Sequence, residues 1–323
     1  MDSMEQNVWY DRFMELVFKK YPKRIQLVKA LIELLSLERE AVYRRLRKEV
    51  AFTAMETATL ASAWNISLDE IMGVNVGKVS FQMRAMNYLD PSEEEANFLR
   101  FVIQSITYLK NFPTTEFMDI CNKLPRQLVA GYEHLNKFYL FKWAYQYGNE
   151  KDAVPFSKIA VSEEKKNITK EYYKAIKQVP NSNFVFDYNI FNYIVKDINY
   201  FCSIYMITEE EKEFIKKDLL HLLDYLQEVA NNGYYPETHN KVNLYISQLK
   251  VPTGYSYTFT PEVNICYIHV FEKFEIYSFH SEMTTNFISW MQQKKKTSIQ
   301  ISEVDAKSRI EFFATSRKLI ESL

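Results

Sequence analysis

The spacing of apolar residues changes once along this chain, and that change limits the available folds more than any other feature. Up to Val229 most apolar residues recur every three or four positions, which is typical of helices that bury one face. The sequence predicts a mainly α fold with a small antiparallel β-sheet at about 241–280, because the later segments are rich in β-branched and aromatic residues. Those segments are KVNLYISQLKV, YSYTFT, EVNICYIHVF and FEIYSFH.

Five short helical patterns crowd into the first 73 residues. The fourth and fifth begin with capping boxes at Thr53–Glu56 and Ser67–Glu70, in which a hydroxyl and a glutamate satisfy free backbone N–H groups. We therefore expect residues 1–73 to form a small helical domain. The first three patterns are the apolar stripes Trp9, Phe13, Leu16 and Val17; Ile25, Val28, Ile32 and Leu35; and Val42, Tyr43, Leu46 and Val50.

Residues 74–91 lose the helical period and are predicted to be a linker with one strand at about 78–84. A helix opened by the capping box Ser92–Glu95 follows Pro91. We expect residues 92–323 to form a larger α+β domain that contains the sheet. Its further helices are predicted at about 115–147, 163–178, 188–206, from 208 onward, 281–296 and 302–321.

Two features of this larger domain have alternative interpretations. The helical stripe from Ile215 to Val229 predicts core packing, and a dimer seam is the alternative. The aromatic clusters at 184–193 and 255–259 likewise predict packing, and the wall of a ligand pocket is the alternative.

Positive charge is concentrated near the N-terminus, although the chain as a whole carries a net charge of −1. Residues 19–50 contain ten basic and four acidic side chains, so this stretch carries +6 and the remainder carries −7. Such asymmetry favours a segment that faces a polyanion and is attached to an acidic body, and a merely solvated helix face is the alternative. The densest cations are Arg44, Arg45, Arg47 and Lys48.

The order of these helices and two short motifs resemble a known family of DNA-binding domains. Residues 6–73 are similar to a lambda-repressor-like helix-turn-helix domain of the Cro type, whose usual ending matches WNISLDEIMG. The run AVYRRLRKE is close to a subgroup in which YRR precedes an apolar and a basic residue. Residues 74–323 resemble the long C-terminal regions, of unknown ligand, in that subgroup. The resemblance implies a five-helix bundle and double-stranded DNA as a partner.

The same resemblance assigns roles to individual residues, because the third helix of that family enters the major groove. Useful specificity needs two such heads, so we expect a homodimer held together by the C-terminal domain. The residues expected at base edges are Arg39, Glu40, Tyr43 and Arg44, with Val42, Tyr43 and Leu46 turned to the core. The residues expected at phosphates are Arg47, Lys48, Lys23, Arg24 and Lys29.

Three positions depart from the family's preferences. The family prefers a small residue inside the second helix, where this chain has Ile32, and glycine in the turn, where Ser36 stands. The subgroup often has glycine after the third helix, where this chain has Lys48. These departures keep a second hypothesis open, in which the head is a protein-interaction adaptor that no longer reads DNA.

Catalytic and cofactor motifs are not recognisable in the sequence. The six glycines do not fall into phosphate-loop spacing, and the five histidines do not pair at metal-ligand spacing. We therefore predict no enzyme activity, no metal and no cofactor, while a small-molecule or peptide effector stays open. Three widely spaced cysteines fit reduced thiols in the cytoplasm, and neither a secretory signal nor a membrane span is predicted.

Overall fold

The chain divides into two units, Met1–Ser80 and Phe81–Leu323, by the contacts within each. Most of the predicted linker, 74–91, lies outside the described residues, and within it a short strand is described at Gln82–Met83. The computed structural model describes residues 3–21, 23–64, 66–71, 79–83, 92–147, 154–270 and 274–323.

The described part of the first unit is helical and surrounds one apolar cluster. Phe13, Leu31, Val42 and Leu60 lie fully buried in that cluster. Helix α2 packs against α3 and α4, and α1 packs against α5. The helices are α1 Ser3–Lys19, α2 Arg24–Leu35, α3 Arg39–Leu46, α4 Ala54–Trp64 and α5 Leu68–Ile71.

The apolar stripe predicted for α2 is found in the structure except at its first residue. Val28 is buried, and Ile32 and Leu35 are half-buried against the same cluster. Ile25 is 80% exposed, whereas Leu27, Val28 and Leu31 are buried. An amphipathic helix buries a stripe about 100° wide, and several stripes in this leucine-rich helix satisfy the same spacing. Packing against α3 and α4 selected a face that includes Leu27 and Leu31, so the prediction is wrong at Ile25.

An eight-stranded mixed sheet organises the described part of the second unit, with strand order β1-β7-β6-β5-β2-β3-β4-β8. Strands β2, β3 and β4 are parallel to one another, and the other described pairings are antiparallel. The strands are β1 Gln82–Met83, β2 Glu116–Cys121, β3 Asn181–Asp187, β4 Lys241–Ser247, β5 Tyr255–Phe259, β6 Asn264–Val270, β7 Phe274–Ser278 and β8 Ile299–Gln300.

The prediction of a small antiparallel sheet at 241–280 is therefore too narrow. It is right about direction for β5, β6 and β7, which pair antiparallel, and wrong for β4, which pairs in parallel with β3. The four segments named for it form β4 to β7, but β2 and β3 lie at the centre of the sheet and were missed. A buried parallel strand is a short apolar run without alternation. Periodicity alone does not distinguish such a run from the helical segments on either side of it. Helix was predicted from residue 115, where β2 lies instead.

Helices connect the parallel strands as crossovers. Helices α7, α8 and α9 lie between β2 and β3, and α10 and α11 lie between β3 and β4. This is the expected connection, because parallel neighbours need a long crossover. The helices of this unit are α6 Ser92–Leu109, α7 Arg126–Val129, α8 Glu133–Tyr147, α9 Glu163–Ile176, α10 Ile190–Ser203, α11 Glu209–Asn232, α12 Ser281–Lys296 and α13 Ala306–Glu321.

Helix α11 settles one of the two alternatives left open for this unit. Helix α11 begins with a capping box, in which the Thr208 side chain accepts from the backbone N–H of Glu211 and the Glu211 side chain accepts from that of Thr208. The stripe that begins at Ile215 and Leu219 is fully buried in the main core, so it is packing and not an exposed dimer seam. Among the described residues no helix is both long enough and apolar enough to cross a bilayer.

Candidate nucleic-acid interface

Helices α2 and α3 are joined by a tight three-residue connection. Helix α2 ends at Leu35 and α3 begins at Arg39. Ser36 caps α2 in the left-handed conformation, with φ 52° and ψ 38°. A residue with a Cβ loses about 1–2 kcal/mol in that conformation, which glycine adopts freely. The connection therefore needs a left-handed residue at the position where the resembled family prefers glycine.

Helix α3 turns one face inward and offers the other to solvent. Val42 and Leu46 are buried, and Tyr43 is half-buried against the same cluster. Glu40 and Arg44 are exposed on the opposite side. These placements agree with the faces expected for the helix.

The cationic run extends beyond the helix that was expected to carry it. Helix α3 ends at Leu46, and the backbone N–H of Arg47 donates to the carbonyl of Tyr43. Lys48 follows in the left-handed region with φ 62°. Arg47 and Lys48 therefore lie in a turn after α3, and the helical stripe predicted to continue to Val50 is too long. A positive φ at Lys48 again marks a position where glycine was expected.

Arg45 has a structural role that separates it from its neighbours. Its guanidinium donates to both carboxylate oxygens of Glu56, at 2.8 and 2.7 Å, and to the carbonyl of Ala41 at 3.2 Å. Glu56 also accepts from the backbone N–H of Thr53 and completes the predicted capping box of α4. Burial raises the pKa of Glu56, but Arg45 and Thr53 outweigh it and hold that pKa below its ordinary value.

A helical projection separates Arg45 from Arg44 without any coordinates. At about 100° per residue, Arg45 lies within about 60° of Val42, whereas Arg44 lies nearly opposite. The structure agrees, since the Arg45 and Glu56 side chains are only 13% and 14% exposed. The ion pair between Arg45 and Glu56 therefore connects α3 to the start of α4.

The exposed cations around α3 contact acidic neighbours. Arg47 donates to Glu49 at 2.6 Å and to Glu40 at 2.9 Å, and these two hydrogen bonds raise the pKa of Arg47. Arg44 lies 3.8 Å from Glu49. Hydrogen bonding by Arg47 lowers the pKa of Glu49. Such exposed pairs each contribute only about 0–1 kcal/mol, so a stronger anion can replace them.

The remaining predicted site residues lie on the surface of α2 or beside α3. Lys23 occupies the N-cap position of α2 in an extended conformation without a side-chain cap, and Arg24 begins the helix. Lys29 lies 3.9 Å from Glu33, and Lys48 pairs with Asp11. The Arg39 guanidinium lies 5.7 Å from the centre of the Tyr43 ring. All nine predicted residues therefore lie on α2, on α3 or in the turn after α3, and all but Tyr43 are exposed.

The structure also locates the groups considered for metal chemistry. Within the described ranges, no group of three or more His, Cys, Asp or Glu side chains is arranged to hold a metal ion. His280 caps α12 and accepts from the backbone N–H of Met283, and the three cysteines are free thiols. Comparison with family models, with curated proteins and with solved structures found no match to this chain.

Proposed function

We propose that this protein is a DNA-binding transcriptional regulator of the cytoplasm, in which residues 3–71 are a lambda-repressor-like helix-turn-helix head. Helices α2 and α3 would form the motif, with α3 in the major groove. The observation that carries the proposal is the left-handed Ser36 in a three-residue connection between α2 and α3. A short turn of this kind is what a helix-turn-helix requires, and the family pattern that this chain resembles has glycine there.

Each predicted residue has a role consistent with its position. Arg44 would donate to guanine and Glu40 would accept from cytosine, with Arg39 and Tyr43 beside them at base edges. The uncapped start of α2 supports a phosphate contact, since backbone N–H groups at a helix N-terminus favour anions. The phosphate contacts would be Lys23, Arg24, Lys29, Arg47 and Lys48.

The ion pairs on this surface predict how DNA would bind. Arg44 and Arg47 would leave Glu49 and take up a base edge and a phosphate, respectively. Because every such exchange starts from an exposed pair, the loss on the protein side is small. The head would bind as one half of a dimer on an inverted repeat, with the second unit supplying the dimer contact.

A second candidate function is a protein-interaction adaptor with a head that does not read DNA. One observation favours it: Arg44, Arg47 and Lys48 all have acidic neighbours already. An adaptor surface would present this mixed charge directly to another protein, without exchanging it for phosphate.

Selection of bound sequences from a random duplex pool, with the full chain, separates the two functions. The regulator predicts enrichment of an inverted repeat and binding that weakens steeply with salt, because phosphate contacts release counterions. Lys23→Ala should weaken binding to all sequences alike and flatten the salt dependence. A pool that shows no enrichment, with salt-independent binding, would favour the adaptor.

A further inference from the structure

The second unit contains a mostly apolar chamber that the DNA-binding proposal does not use. The chamber lies between α6, α9 and the antiparallel half of the sheet, and its volume is about 230 Å³. Phe98, Val102 and Ile106 line it from α6, and Phe117 and Ile265 line it from the sheet. For comparison, a cavity of about 150 Å³ holds benzene. The chamber is therefore large enough for a ring with a short side chain.

A small polar recess of about 40 Å³ adjoins this apolar chamber. Arg126, Gln127, Phe274 and Glu275 line both spaces. Asp119 lines the recess from β2. One molecule can thus place an apolar body in the chamber and a polar head in the recess.

Asp119 is the unusual group in this recess. It is 0% exposed, and among the described residues neither of its carboxylate oxygens has a hydrogen-bond partner. Burial raises the pKa of Asp119 to about 6; His269 and Lys123 lower it to a smaller extent, and Glu275 raises it further. A buried carboxylate is normally hydrogen-bonded or paired with a cation, so an unpaired one predicts a partner that binds there.

The neighbouring polar groups have partners within the protein. The Ser256 hydroxyl and His269 Nε2 lie 3.1 Å apart, and the same Nε2 lies 4.0 Å from Glu275. Arg126 lies 4.0 Å from Glu95 and over the Phe98 ring. Lys123 also lines the recess and lowers the pKa of Asp119, but it does not hydrogen-bond to that carboxylate. Among the described charged groups of the recess, the carboxylate of Asp119 is thus the one that lacks a hydrogen-bond partner, which predicts a cationic ligand head.

The Ser256–His269 contact does not have the geometry of a nucleophile and its base. A base of that kind has an acid at Nδ1 to orient it, whereas Glu275 lies nearest to Nε2. On the other side of the ring, a Cβ on Gly254 would lie 2.5 Å from Nδ1, so backbone occupies that position. These residues are better suited to shape the recess than to attack a substrate.

We propose that this cavity binds a small primary amine with an apolar body, the ammonium group hydrogen-bonded to Asp119 and the body in the apolar chamber. The ligand would compensate the unpaired charge and at the same time remove apolar surface from water. The amine site does not depend on DNA binding, and its test uses no DNA.

Titration calorimetry of the full chain with benzylamine, 2-phenylethylamine and hexylamine tests the site. At least one of these amines should bind saturably, and benzyl alcohol, 2-phenylethanol and 3-phenylpropanoate should bind at least about tenfold more weakly. Asp119→Asn should reduce amine binding by at least about tenfold, because the charge-assisted hydrogen bond is lost. Glu311→Gln removes an exposed carboxylate from α13 and should bind as the unsubstituted chain does.

A second variant tests the apolar chamber separately. Val102→Phe fills part of it and should weaken binding of the two aromatic amines while Asp119 is unchanged. Circular dichroism of each variant checks that it is folded. Unchanged amine binding in Asp119→Asn would overturn the proposal. So would tighter binding of 3-phenylpropanoate than of the amines, or no saturable amine binding up to millimolar concentration.

Discussion

The two units hold their charged side chains in opposite ways. Around α3 of the first unit, Arg44, Arg47 and Lys48 are exposed and lie next to acidic neighbours. In the second unit Asp119 is buried on the sheet, and the described part of the chain offers its carboxylate no hydrogen-bond partner. An exposed ion pair contributes about 0–1 kcal/mol and is easily exchanged, whereas a buried unpaired charge destabilises the fold by several kcal/mol.

This difference indicates which kind of ligand each site is suited to bind. The exposed cations can exchange one anion for another at small cost, which suits a long polyanion contacted at many points. Asp119 gains most from one well-placed cation, which suits a small ligand. Arg45 differs from both. It lies in the first unit, but its ion pair with Glu56 is largely buried and stabilises the fold.

The largest expected effect is on the free energy of unfolding, and it distinguishes Arg45 from the exposed cations. Arg45→Ala should lower the free energy of unfolding of the first unit by about 3 kcal/mol, because Glu56 is then left partly buried without its partner. Urea denaturation measures this loss. Arg47→Ala is the matched control, and it should change the same free energy by less than about 0.5 kcal/mol. Equal losses of stability in the two variants would contradict the structural role assigned to Arg45.

A smaller effect is expected on DNA binding. Arg44→Ala should weaken binding to the selected duplex by about 2 kcal/mol, within the range for one good base contact. Lys217→Ala removes an exposed cation from α11 and should leave the affinity unchanged. Gel-shift titrations at one salt concentration compare the two. If both variants bind as the unsubstituted chain does, Arg44 does not read a base.

The stability of the second unit should depend on the protonation of Asp119. Burial raises its pKa to about 6 from 3.8, so the folded protein holds this proton more tightly than the unfolded chain does. The resulting stability is full below pH of about 4 and is lost as the pH rises through about 6. Neighbouring His269 and Lys123 oppose the rise, and Glu275 adds to it, but burial is the largest cause.

Asp119→Asn should therefore raise the free energy of unfolding by about 1–2 kcal/mol at pH 7, since it removes an unpaired buried charge. Near pH 4 the two proteins should be about equally stable. Urea denaturation across this pH range measures the difference. A variant that is less stable than the unsubstituted chain at pH 7 would mean that the carboxylate has a compensating partner.

The smallest expected effect concerns the turn of the first unit. Ser36→Gly should stabilise that unit by about 0.5–1 kcal/mol, because glycine adopts φ 52° without strain. Thermal unfolding measures the shift. Ser36→Ala is the control and should not stabilise, since alanine has the same left-handed strain. Destabilisation by glycine would contradict the turn geometry described for α2 and α3.

Much of the first unit could be predicted from local sequence alone. The capping box at Thr53 and the inward face of α3 are contained in segments of less than a dozen residues, and both are found in the structure. The burial of Leu27 and Leu31 in place of Ile25 could not be predicted, because the leucine-rich sequence of α2 permits several apolar faces. The end of α3 at Leu46 was also missed, since the cationic residues that follow are good helix formers.

The amine site could not be predicted in the same way. Asp119 lies in EFMDIC, a short apolar run that was predicted to be helical. The aromatic residues that drew attention are mostly core: Phe184 and Phe186 are buried on β3. On β5 it is Ser256 and Thr258, between the aromatic residues, that line the apolar chamber. Successive side chains of a strand point to opposite faces of the sheet, so the phase of β5 decides whether its aromatic or its hydroxyl side chains face the cavity.

The sequence by itself determined most of the helices, the capping box at Thr53 and the concentration of positive charge on α2 and α3. Each of these depends on residues within a few turns of one another, where backbone geometry fixes the distances. Only the tertiary structure decided that β2 pairs with β5 and that Asp119 is buried without a hydrogen bond from any described residue. Strand order and the burial of a side chain depend on residues far apart in the chain, and apolar pattern alone does not choose among the possible pairings.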